Sequence, residues 1–129
     1  MKLNYLIRIF SISFATILII SPVNADFQDG WNAYTNQDFK TAAKEWKPLA
    51  EKGDSQSQSN LGILYFNGKG VLKDTLTAHM WYNISSANEH LYAGEFRDKL
   101  EKKMTSDAIE RATAMAKECM NRNYKKCGY

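Results

Sequence analysis

Cysteine, proline and histidine are scarce in these 129 residues, with two of each. Two cysteines with no other cysteine or histidine beside them do not make a zinc site, which takes four donors or three and a water. The histidines, His79 and His90, form no His-Glu-x-x-His pair, and no Ser-x-x-Lys occurs from residue 26 onward. A zinc protease and a lysine-activated serine nucleophile are therefore unsupported. No stretch alternates apolar and polar residues with β-branched enrichment, which argues against a sheet. Disorder is excluded by composition, since 44% of residues are hydrophobic and 24% are charged.

Acidic residues are absent from the first 25 positions, where Lys2 and Arg8 are the only charges. The stretch 9–20 is almost wholly apolar, and Ser21-Pro22-Val23-Asn24-Ala25 closes it with small residues. A basic start, a short apolar run and small residues before a cut are the features of a secretory signal peptide, with cleavage expected after Ala25. The run is short for a membrane span, which needs ~20 residues. The expected domains are thus a signal peptide, 1–25, and one folded domain, 26–129, placed in the periplasm or outside the cell. Lys2 and Arg8 are two of the 17 basic side chains, so the remainder is nearly balanced against its 14 acidic ones. That balance gives no concentrated basic surface for nucleic acid. In an oxidising compartment Cys119 and Cys127 are expected to pair, stapling the tail to the last helix and contributing ~2 kcal/mol.

The spacing of apolar residues predicts six helices. Phe27, Trp31 and Tyr34 share a face in the first, Phe39, Ala42, Ala43, Trp46, Leu49 and Ala50 in the second, and Leu61, Gly62 and Tyr65 in the third. Ala78, Trp81, Ile84 and Ser85 mark a fourth, Tyr92, Phe96 and Leu100 a fifth, and Ala108, Ile109, Ala112, Ala116 and Cys119 a sixth. Asp38, Asp74 and Thr105 suit helix starts, Ser55 with Gln58 fits a capping box, and Gly53 and Gly68 suit helix ends. Pro48 predicts a bend or an early end. Gly68-Lys69-Gly70 lacks the following Lys-Ser/Thr of a phosphate loop and is taken as a helix-ending turn.

The chain also repeats. Asp38-Phe39-Lys40-Thr41-Ala42 matches Asp74-Thr75-Leu76-Thr77-Ala78 at Asp, Thr and Ala, 36 residues apart, and Trp46 and Trp81 stand 35 apart. A two-helix unit of that period must stack on its neighbours to bury its faces. The expected fold is all-α, a right-handed α-α solenoid of about three helical hairpins.

The run Trp46-Lys47-Pro48-Leu49-Ala50-Glu51-Lys52-Gly53-Asp54 is followed by Asn60-Leu61-Gly62 with Tyr65, then by Gly68-Lys69-Gly70-Val71 with Asp74, Ala78 and Trp81. This pattern resembles the Sel1-like repeat family of tetratricopeptide-like hairpins, and its ending resembles short exported bacterial members. Ser57 and Ser59 depart from the family's preferred Ala, and Asn88-Glu89-His90 lacks its usual Gly. The resemblance implies a non-catalytic module that binds a protein partner on a concave face, with no cofactor and no membrane contact after export, as a monomer. Some cysteine-rich relatives are associated with β-lactams, which keeps a β-lactam-interacting enzyme in view. An immunity or inhibitor protein for a secreted toxin is the third class.

Along the third helix, Gln56, Asn60, Ile63 and Asn67 form a ladder opposite Leu61 and Tyr65, with amides suited to a peptide backbone and Ile63 suited to burying area. Glu95 and Lys102 would continue that surface. Intact-mass measurement of the exported protein, with and without reduction, is expected to give a chain starting at Asp26 that gains two hydrogens on reduction.

Overall fold

The computed structural model describes residues 23–128, with side chains for 27–128. The expected leader lies outside the described residues except for 23–25. Six helices follow one another: α1 (Val23–Thr35), α2 (Phe39–Ala50), α3 (Ser55–Asn67), α4 (Thr75–Ala87), α5 (Ala93–Glu101) and α6 (Ser106–Asn121). Among the described residues there is no strand.

Local chemistry sets most of the helix boundaries. The Asp38 carboxylate accepts from Thr41 N, Asp74 accepts from Leu76 N and Thr77 N, and Thr105 Oγ1 accepts from Ala108 N. Each of these satisfies amides that the first turn leaves without partners. The start of α3 differs from expectation. Asp54 caps it by accepting from Ser57 N at 2.7 Å, and Gln58 turns inward instead of closing a box with Ser55. Gly68 ends α3 in the left-handed region at φ 64°. α2 runs on through Pro48 and ends at Ala50, within a turn of it. Gly68-Lys69-Gly70 forms a connecting turn, in which Gly70 at φ 72° lies so close to the Phe39 backbone that a Cβ would overlap it.

The first four helices pack in succession, α1 on α2, α2 on α3 and α3 on α4. Both expected tryptophans fill the interior, Trp46 at 1% exposure and Trp81 at 0%. Burying large side chains of this kind is worth roughly 1.5–3 kcal/mol each. Ala42, Ala50, Ala78, Ala112 and Ala116 are fully buried, and such small side chains let helix axes approach closely. The last two helices depart from the succession, because α5 and α6 both pack against α4. Two closed helix pairs are present where three were expected. The tail that follows α6 also lies on α4, with Gly128 against Thr77 and Met80.

Repetition within the two pairs is tighter than the tryptophan spacing suggests. α1 and α3 begin 32 residues apart, and α2 and α4 begin 36 apart, because the connection 68–74 is longer than 36–38. In this register Gly30 corresponds to Gly62, Tyr34 to Phe66, and Trp46 to Tyr82. The packing bears that out. A Cβ on Gly30 would overlap the Trp46 indole, and one on Gly62 would lie 2.6 Å from Tyr82 Cε1. Trp46 therefore has Tyr82, not Trp81, as its counterpart.

Cys119 and Cys127 form a disulfide with Cα atoms 5.3 Å apart. Within the loop it closes, Tyr124 donates its hydroxyl proton to Asn88 Oδ1 at 3.0 Å. Asn88 donates to Gln58 Oε1 at 2.9 Å, and Gln58 donates to the Ala50 carbonyl at 3.0 Å. This chain joins the tail to the ends of α4, α3 and α2, and it satisfies a Gln58 side chain with no solvent exposure. Ser85 Oγ donates to the Ser55 carbonyl and ties α4 to the start of α3.

Gly62→Ala tests the glycine–aromatic contact. Alanine gains about 1 kcal/mol of helix propensity, whereas forcing a methyl into a packed ring costs about 1–3 kcal/mol. The added carbon meets the Cδ1–Cε1 edge of the Tyr82 ring, which is backed by Phe96 at 5.7 Å between centroids. The overlap is expected to win and lower the thermal midpoint. A raised midpoint would show that the ring yields.

Candidate functional site

The glycine–aromatic register places two related recesses on one side of the molecule. The first lies between α1 and α3, with a volume of about 140 Å³, and is lined by Trp31, Tyr34, Trp46, Asn60 and Ile63. Trp31 stacks on Tyr34 with ring centroids 5.8 Å apart, and Tyr34 meets Trp46 at 5.7 Å and Phe39 edge-on at 5.3 Å. Trp46 Nε1 donates to the Phe27 carbonyl, which fixes the indole. Trp31 remains 45% exposed even so. Asn60 Nδ2 is buried and has no hydrogen-bond partner. An unpaired buried amide costs about 1–3 kcal/mol, and a carbonyl brought to it would recover that cost.

The second recess lies between α3 and α5, with a volume of about 430 Å³. Phe66, Tyr82, Phe96 and Leu100 form its walls, and Lys99, Lys102 and Lys103 stand at its edge. By the register above, Phe66 and Tyr82 take the places that Tyr34 and Trp46 take in the first recess.

The expected surface residues are divided among these features. Asn60 and Ile63 come together in the first recess, where Ile63 also packs against the cluster built on Ala78, Tyr82 and Leu100. Gln56, in the first turn of α3, instead borders a different hollow beside Phe27, Gln28 and Leu49. Asn67 donates its amide back to the Ile63 carbonyl. Glu95 pairs with Lys99 at 2.6 Å, and Lys102 borders the second recess. Trp31, Tyr34 and Trp46 were assigned from spacing to core faces alone. Alignment of α1 on α3 at 32 residues, which places Trp31 opposite Ile63, was the signal that could have found them.

The histidines have local partners. His79 is fully buried and its Nε2 lies 2.7 Å from Glu101 Oε1. His79 Nδ1 is buried and has no hydrogen-bond partner. His90 Nδ1 accepts from Tyr92 N. Among the described residues no group of three or more His, Cys, Asp or Glu could hold a metal ion, and no helix is long and apolar enough to cross a membrane. Asn83, in the glycosylation pattern Asn83-Ile84-Ser85, lies mid-helix and accepts from Arg97. Compared with protein-family models, curated proteins and solved structures, the chain matches none.

Burial pushes the Tyr82 hydroxyl up to about 12 from 10.0, with a smaller contribution from Tyr34, and burial also raises Tyr65, aided by the Asp74 charge. Tyr82 thus remains a neutral phenol in the wall of the second recess. The stability linked to it is fully present below the unfolded value of 10.0 and declines as pH rises toward about 12, because the unfolded chain releases the proton first. Denaturant unfolding across that range is expected to show a shallower alkaline loss in Tyr82→Phe than in the parent. Equal slopes would remove Tyr82 as the source.

Proposed function

We propose that the protein is an exported, non-catalytic interaction module of Sel1-like α-solenoid type that binds an extended segment of a protein partner along the side formed by α1 and α3. One observation carries this reading: the half-exposed Trp31 stands over a recess in which the buried Asn60 amide has no partner. A half-exposed tryptophan backed by stacked rings is suited to be a binding anchor, since exposed aromatics dominate interface energetics. An unpaired donor at its foot is suited to a main-chain carbonyl. The first recess, at about 140 Å³, falls below the ~300–1,000 Å³ of small-molecule sites and fits one inserted side chain. Export is supported by the leader-like start and by the Cys119–Cys127 bond, which suits an oxidising compartment.

The test separates stability from binding. Asn60→Leu is expected to keep or raise the thermal midpoint, because it removes an unpaired buried donor, while weakening partner capture about tenfold. Trp31→Ala is expected to cost on the order of 2 kcal/mol of binding. A photo-crosslinking residue at position 31 should trap a discrete adduct in cells, and one at the exposed Lys117 on α6 should not. Equal trapping at both positions, or none at 31, overturns the reading.

A further inference from the structure

The second recess differs from the first in size and in charge, although both follow from the same helix register. Its volume of about 430 Å³ lies within the ~300–1,000 Å³ of small-molecule sites, about three times that of the first. Three aromatic rings and Leu100 give it apolar walls, and the walls carry no acidic side chain. Of the lysines at its edge, Lys99 is held by Glu95, whereas Lys102 and Lys103 make no ion pair with any described carboxylate. Lys73 stands over the outer wall, its Nζ 5.9 Å from the Phe66 ring centre. The acidic groups nearest in sequence are otherwise engaged, Asp98 with Arg97 and Glu101 with His79 and Arg97. An apolar chamber therefore opens beneath uncompensated positive charge.

We propose that this recess binds a small amphipathic anion, an alkyl chain ending in a carboxylate, with the chain between Phe66, Tyr82, Phe96 and Leu100 and the head group at Lys102 and Lys103. An uncharged alkyl ligand would fill the walls and leave the lysines unused. A short hydrophilic anion would meet the lysines and leave the walls empty. Lysine suits the head group as a mobile point charge that needs no fixed fork geometry. This site is separate from the Trp31 recess, so the two assignments can fail independently.

Calorimetric titration of the oxidised full chain with dodecanoate, kept below its micellar concentration, tests the proposal. The expected result is saturable one-to-one binding. Dodecyl maltoside, with the same chain and no charge, and butyrate, with the same charge and little chain, should each bind at least about tenfold more weakly, a difference of about 1.4 kcal/mol. Lys102→Glu with Lys103→Glu should weaken dodecanoate by a similar factor while leaving the melting temperature nearly unchanged, since both side chains are exposed. Phe96→Ala should weaken it through the wall. Trp31→Ala should leave it unaltered, which distinguishes this site from the partner groove. The proposal is overturned if dodecyl maltoside matches dodecanoate, if the charge-reversed variant keeps its affinity, or if an acidic peptide displaces dodecanoate and binds more tightly. The last result would assign the recess to a protein segment.

Discussion

The seating of an aromatic ring on a helix that lacks a Cβ at the contact is the interaction on which the described architecture depends. Gly30 receives Trp46, and Gly62 receives Tyr82. A glycine inside a helix costs roughly 1 kcal/mol relative to alanine. That cost is offset here by close approach of the paired helices and by burial of rings exposed to only 1% and 5%. The same seating decides what remains on the opposite side of the ring. An aromatic held against the preceding helix presents its far edge to the gap before the next one. Each gap becomes an apolar recess walled by the ring that closes the pair behind it.

The far end of the molecule is organised by polar contacts. Tyr124, Asn88 and Gln58 form a hydrogen-bonded chain that ends on the Ala50 carbonyl, and the Cys119–Cys127 bond keeps Tyr124 in reach. Gly53, at φ 91°, leaves room for the Tyr124 ring. A satisfied buried network of this kind fixes orientation more than it adds stability, because each donor exchanges water for protein. With the tail drawn across α4, α6 occupies the surface that another repeat would have covered, and α5 is left to close the second gap alone.

The six helices and most of their caps were legible because both depend on neighbours in the chain. Trp46, Ala42 and Ala78 repeat at helical intervals, and Asp38, Asp74 and Thr105 act on amides two or three residues away. The disulfide was legible for the same reason, once export was inferred. What escaped depended on which faces have neighbours. Phe27, Trp31 and Tyr34 share a stripe that reads as core, yet among the described residues no helix packs beyond α1, and Trp31 is left half outside. Gln56 sits on the same stripe as Asn60, but at the first turn of α3 it borders a separate hollow formed by the start of α1 and the α2–α3 connection. Glu95 carries the charge expected of a surface contact and spends it on Lys99, four residues away. Ser57 is buried where the family pattern favours alanine, and its hydroxyl has no partner; nothing in the structure explains that choice.

The two recesses have unlike chemistry. His79 with Glu101 ties α4 to the end of α5, Arg97 pairs with Asp98 within α5, and none of these four side chains lines either recess. The groups that face the recesses are rings, an amide and lysines, which distinguish ligands by shape, by one hydrogen bond and by charge. Of the equivalent positions, Trp31 borders the first gap, whereas Ile63 lies between that gap and the cluster built on Ala78, Tyr82 and Leu100. If the proposed sites are the binding sites, the packing residues and the recognition residues occupy opposite edges of the same rings, and ligands could vary at little cost to the fold.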